Sequence, residues 1–268
     1  MKIKILYHSG AGSTKTIAEI FYAKLKGYQC SIEQISLNYD YNNLSEYEHL
    51  IFAFPTYHCE PSRSMMEFIN RMPKLLKARS AFVFTTYGLY SGNALRIFIK
   101  ACNDKNINVY GYNAYRSPAT DGSLLFPHIN FMFKYGKKVP RKISNDLNII
   151  TDVISNNTQQ NRCPHFKLYT ILNFPNKYFG KRHVYKLSVL KDRCIKCNYC
   201  VKQCIRGCWK MVDEELIFDI SNCESCLKCI HHCPSSAIII NKKTVKKQKM
   251  NSDFYEALKS NILKGEKY

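Results

Sequence analysis

Apolar runs alternate with helical periodicity along residues 1–157. KIKILY (2–7), SIEQIS (31–36), HLIFAF (49–54), SAFVFTT (80–86) and NINVYGY (106–112) read as strands. Several are apolar at nearly every position, the pattern of strands covered on both faces. Segments 13–26, 61–71 and 92–104 have helical spacing, SPATDG (117–122) punctuates the chain, and 138–155 reads as a last helix. Strands alternating with helices predict an α/β unit, a doubly wound parallel sheet with helices on both sides.

The texture then changes. Residues 158–185 lack a clear period and mix Pro, basic residues and six Phe and Tyr, so they read as a connecting segment packed against its neighbours. From 186 to 240 cysteine runs are separated by a short strand-like pair, KMVDEELIFDI. Residues 241–268 form a basic tail, NKKTVKKQKM, with a helix over 252–265 that Ser252 and Asp253 would cap.

Eight of the 13 cysteines lie in two runs. Cys194, Cys197, Cys200 and Cys204 repeat the spacing of Cys223, Cys226, Cys229 and Cys233, each run being Cys-x2-Cys-x2-Cys-x3-Cys. Such clustering in a chain with no export signal reads as metal ligation rather than disulfide stapling. Zinc sites use two Cys pairs and a spacer, which this pattern does not follow. The duplication resembles bacterial two-cluster ferredoxins, where the fourth Cys of each run serves the other cluster. That resemblance implies two [4Fe-4S] clusters, one on Cys194, Cys197, Cys200 and Cys233, the other on Cys223, Cys226, Cys229 and Cys204. Ile205 stands where the family commonly has Pro after the fourth Cys, while Pro234 keeps the pattern in the second run. Cys208, four residues past Cys204, reads as a small core residue or a ninth ligand. His231 and His232 read as surface or second-layer residues beside Cys233.

YHSGAGSTK (7–15) sits between the first strand and helix. Glycine-rich loops there hold phosphates. No alignment of Gly10, Gly12 and Lys15 gives a nucleotide P-loop, and Lys15 stands where a dinucleotide fingerprint needs its third Gly. Ser9-Gly10-Ala11-Gly12-Ser13-Thr14 is similar to the flavodoxin phosphate loop, with Ala11 in place of a Thr. Backbone N–H groups and the hydroxyls of Ser9, Ser13 and Thr14 would hold the phosphate of FMN. Pro55, Thr56, Tyr57 and His58 end the third strand, and Tyr87, Gly88, Tyr90 and Gly92 follow the fourth. Both are positions where flavodoxins contact the ring, beyond the carboxyl ends of a sheet ordered 2-1-3-4-5. Taken singly, these aromatics equally suit core packing.

The whole chain resembles flavodoxin–ferredoxin fusion proteins of anaerobic bacteria: a flavodoxin-like α/β domain (1–157), then a small α+β two-cluster ferredoxin domain (186–240). The resemblance implies an iron–sulfur flavoprotein passing electrons between FMN, the clusters and a redox partner. An alternative is a cluster-fed flavin reductase of a quinone, nitro compound or oxygen species. A regulatory, nucleic-acid-associated protein is a third class, but no recognition motif supports it. Forty Lys and Arg against 20 Asp and Glu give a net charge of +20, which suits an acidic protein partner. No run approaches the roughly 18 apolar residues of a membrane span, so a cytoplasmic location is expected.

Overall fold

The structure, a computed structural model, describes residues 1–125, 130–156, 160–172, 185–240 and 250–264. Five parallel strands form the main sheet in the order β2-β1-β3-β5-β6: β1 (Lys2–Tyr7), β2 (Gln29–Gln34), β3 (His49–Tyr57), β5 (Arg79–Tyr87) and β6 (Ile107–Arg116). The short β4 (Glu60–Pro61) folds back antiparallel on the end of β3. The predicted 2-1-3-4-5 order is present, its last two strands being β5 and β6. The fold is flavodoxin-like α/β.

The two-residue period of each strand divides its apolar side chains between two cores. Ile3, Ile5, Ile51, Ala53, Phe82 and Phe84 face one side, where α1 (Ser13–Lys24) and α4 (Val139–Asn156) cover them. Leu6, Leu50, Phe52, Phe54, Ala81 and Val83 face the other, beneath α2 (Arg63–Arg71) and α3 (Ala94–Asp104). A fully buried side chain of this size contributes roughly 1.5–3 kcal/mol. Continuous apolar strands are thus explained by helices on both faces.

Residues 160–172 run past the outer edge strand. Arg162 N–H donates to the Val109 carbonyl (2.7 Å) and Asn161 Oδ1 accepts from Val109 N (3.2 Å), which satisfies backbone groups that β6 would otherwise expose. The remainder of the predicted connecting segment, up to 184, falls outside the described residues.

The cysteine-rich segment holds two small antiparallel pairs, β7 (Leu187–Val189) with β10 (Ile238–Ile240) and β8 (Trp209–Val212) with β9 (Glu215–Phe218). Leu187, Trp209, Leu227, Ile230, Ile238 and Ile240 form its core. The predicted C-terminal helix is present at Ser252–Lys264, with Tyr255, Leu258 and Ile262 buried in the first core beside α1. Its cap is Asn251 rather than Ser252 or Asp253, since Asn251 Oδ1 accepts from Phe254 N at 3.1 Å. The basic run 241–249 lies outside the described residues. Among the described residues no helix is long and apolar enough to cross a membrane.

Candidate cofactor sites

A cavity of about 250 Å³ opens at the carboxyl ends of β1, β3, β5 and β6. Open α/β sheets bind ligands at this end because loops and helix N-termini converge there. Twelve of the 14 residues expected to hold the flavin line it: Ser9, Gly10, Ala11, Ser13, Thr14, Pro55, Thr56, Tyr57, His58, Tyr87, Gly88 and Tyr90. Tyr90 is 64% exposed, so it stands at the rim rather than in the wall.

Gly12 and Gly92 are not among the lining residues. Gly12 has φ 153° and lies under the Tyr255 ring, where a Cβ would come within 2.3 Å of Cδ2. Gly92 has φ 52° and would meet Cys59 at the same distance. Both are glycines for packing and backbone conformation, which explains why the motif needs them without a ligand contact. His58 and Cys59, with φ 49° and 65°, form a two-residue turn in the left-handed region between β3 and β4. Both also line the cavity.

The hydroxyls expected to face a phosphate have protein partners. Thr14 Oγ1 shares a 2.7 Å hydrogen bond with Thr86 Oγ1, and Ser13 Oγ a 3.0 Å bond with Tyr255 Oη. Ser9 Oγ accepts from Lys15 N at 3.3 Å. The Ala11 carbonyl accepts from His232 Nε2 at 2.6 Å, which places the histidine beside Cys233 against the loop.

In the cysteine-rich segment a second cavity is lined by Cys194, Cys197, Cys200 and Cys233 together, with Cys229, Ile195, Met211 and Leu216. Three thiols come from the first run and one from the end of the second. Cys204, in turn, lies near Cys223: the buried Cys208 thiol hydrogen-bonds both, which holds those two below the ordinary thiol range. Cys208 itself is a core residue, 1% exposed.

The two runs are wound alike. Lys196 and Ser225 have φ 51° and 58°, and Asn198 and Leu227 share φ 59°, ψ 12°. These left-handed residues curl each loop around its thiols. Amides then point at sulfur: Ser225 N to Cys223 Sγ (3.4 Å), Cys208 N to Cys204 Sγ (3.4 Å) and Ala237 N to Cys233 Sγ (3.3 Å). Cys208 and Ala237 occupy equivalent positions in the repeat. Such donors stabilise thiolates, the form that binds iron. Among the described residues no three His, Cys, Asp or Glu side chains converge as a single ion requires. Four thiols drawn from the two runs line one cavity, a donor set that an iron–sulfur cluster could use.

The two sites meet at a buried carboxylate that the sequence did not single out. Glu224, inside the second run, accepts from His8 Nε2 (3.0 Å), Ser64 N (3.0 Å) and Ser64 Oγ (2.9 Å). It thereby caps α2 from 160 residues away, where the helix dipole favours negative charge. His8 Nδ1 shares a 2.8 Å bond with Ser62 Oγ. Burial alone would raise the Glu224 carboxyl, but His8 and Ser64 outweigh it and hold it below its ordinary value of 4.5. Next to it, the Cys226 carbonyl lies close enough to Gly10 that a Cβ there would meet it at 2.7 Å and Tyr57 Oη at 2.6 Å. Burial, with the neighbouring Cys226 and Glu224, pushes the Tyr57 phenol well up, so it keeps its proton. Nearby, Arg206 pairs with Glu67 of α2, and His231 Nε2 donates to the Thr120 carbonyl at 3.0 Å.

Sheet order and the position of the cavity define a flavodoxin-like α/β protein. A family model described as a flavodoxin domain matches residues 4–105. Similar solved structures include flavodoxin 2 from Bacillus cereus, 18% identical with TM-score 0.44, covering 57% of this chain and 99% of that one. Another is two-electron reduced flavodoxin from Megasphaera elsdenii, 20% identical with TM-score 0.37, covering 42% and 84%. Among curated proteins, pyruvate synthase subunit PorD of Methanothermobacter marburgensis is 33% identical over 64 residues, 24% of this chain and 75% of that subunit. Over that stretch the chain belongs to the family of PorD.

Proposed function

We propose that the protein is an iron–sulfur flavoprotein relaying electrons between FMN, two [4Fe-4S] clusters and an external redox partner. The observation that carries this reading is the cavity shared by Cys194, Cys197, Cys200 and Cys233, three thiols of one run and the last of the other. This is the crossed set that the ferredoxin pattern calls for. Cys223, Cys226, Cys229 and Cys204 would hold the second cluster. When bound, the flavin supplies one- or two-electron chemistry and each cluster one-electron chemistry.

The chain's own residues do the rest. Amides at Ser225, Cys208 and Ala237 stabilise the ligand sulfurs, and Cys200, Cys204, Cys229 and Cys233 pack against the core around Leu227 and Ile230. Loop amides at Ser9–Thr14 would receive a phosphate, and Tyr57 keeps a proton to donate at the cavity wall. The relative's name describes one subunit of a larger enzyme, which supports a protein partner here; the net charge of +20 favours an acidic one. Cys197→Ala tests the reading: iron in the anaerobically purified chain should fall from about eight to about four per chain, with FMN retained. Unchanged iron in that variant would count against the ligand set.

A further inference from the structure

The cavity at the sheet's carboxyl end has a second wall outside the flavodoxin-like part of the chain. Tyr185, just before β7, and Glu224 and Ser225, inside the second cysteine run, line it together with the loops of the sheet. All three lie beyond the matched residues 4–105. Tyr185 also packs against the core of the cysteine-rich segment, and burial beside Asp121 pushes its phenol up to about 12, so it presents a neutral ring. Ser225 is fixed by the left-handed turn that winds the run about Cys223 and Cys226. Glu224 is fixed from the opposite side by His8 and Ser64. From the sheet's side, Leu124 inserts into the cysteine-rich core and Thr120 accepts from His231, so the 117–122 wall of the cavity also rests on that segment.

We infer that the flavin site is bipartite: Tyr185 and Ser225 are flavin-binding residues, Glu224 positions the run that carries Ser225, and flavin affinity depends on an ordered second cysteine run. The inference rests on the flavin reading above. Its physical basis is preorganisation. Ligands that hold Cys223 and Cys226 in place also hold Ser225 and Glu224 against the cavity, and any such coupling between two binding events is reciprocal. An aromatic wall adds ring contact beyond its buried area.

The test uses the full chain, purified anaerobically, with FMN titrated by fluorescence quenching. One arm compares wild type with Tyr185→Ala; the other compares wild type before and after iron removal with a chelator. Iron content and far-ultraviolet circular dichroism of Tyr185→Ala, both expected to match wild type, verify that the variant folds. Kd for FMN should rise about tenfold in the variant and at least fivefold on iron removal, and the visible flavin spectrum should shift in the variant. A Kd within twofold of the reference in either arm overturns the bipartite site. If wild type itself takes up no FMN, the flavin reading fails and this inference falls with it, an outcome distinct from tight binding that ignores both perturbations.

Discussion

Glu224→Ala removes the carboxylate on which three donors converge across the junction. His8 Nε2, Ser64 N and Ser64 Oγ lose their acceptor, and two of these are side chains buried to within a few percent. Hydrogen bonds to charged groups contribute roughly 1.5–3 kcal/mol each, but the substitution also relieves the carboxylate's own desolvation. Breaking a buried, hydrogen-bonded pair by deleting one partner costs about 3–5 kcal/mol on balance. At about 2–4 °C per kcal/mol for a chain of this size, the thermal midpoint should fall by about 6–20 °C. Calorimetry under anaerobic conditions would measure it. The effect has a pH signature. The folded-state pKa of Glu224 is depressed below 4.5, so its contribution is complete above that pH and is lost as pH falls through the folded value. The gap between wild type and variant should therefore narrow as pH falls below 4.5. A loss under about 1 kcal/mol, or a gap that widens in acid, would refute this account of the junction.

Three further outcomes follow from single contacts. Gly12→Ala should destabilise the chain and weaken FMN binding, because φ 153° disfavours any Cβ and the new atom meets the Tyr255 ring at 2.3 Å; thermal melts and FMN titration read both effects. Tyr115→Phe deletes a donor to the buried Asp146, whose carboxyl burial already raises; denaturant unfolding should show a loss of about 1–3 kcal/mol. Cys208→Ala should leave iron at about eight per chain by elemental analysis, since Cys208 donates to two ligand sulfurs rather than replacing one.

Much of this architecture is legible along the chain. Strands flanked on both faces must be apolar at most positions, so HLIFAF and SAFVFTT betray their place in the middle of the sheet. The cysteine spacing likewise shows that the two runs are repeats, while the paired left-handed residues between thiols are visible only in the structure. Contacts between distant segments leave no such trace. Glu224 reads as a spacer between two cysteines, and its partners lie at positions 8 and 64; no local period connects them. Tyr185 sits in an aperiodic stretch, and Gly12 looks like a phosphate glycine until Tyr255 is placed above it. SPATDG could have been added to the cavity from the rule that loops beyond strand carboxyl ends bind ligands. The C-terminal helix was legible as a helix, but its docking on α1 depends on a partner 240 residues away, as the Lys259–Glu19 ion pair at 2.8 Å illustrates.

The most direct test of the central claim is the cofactor content of the anaerobically purified chain. Iron, acid-labile sulfide and flavin measured on one sample should give about eight irons, about eight sulfides and one FMN per chain. Four irons or fewer would contradict the two-cluster assignment, and no flavin after incubation with FMN would contradict the relay.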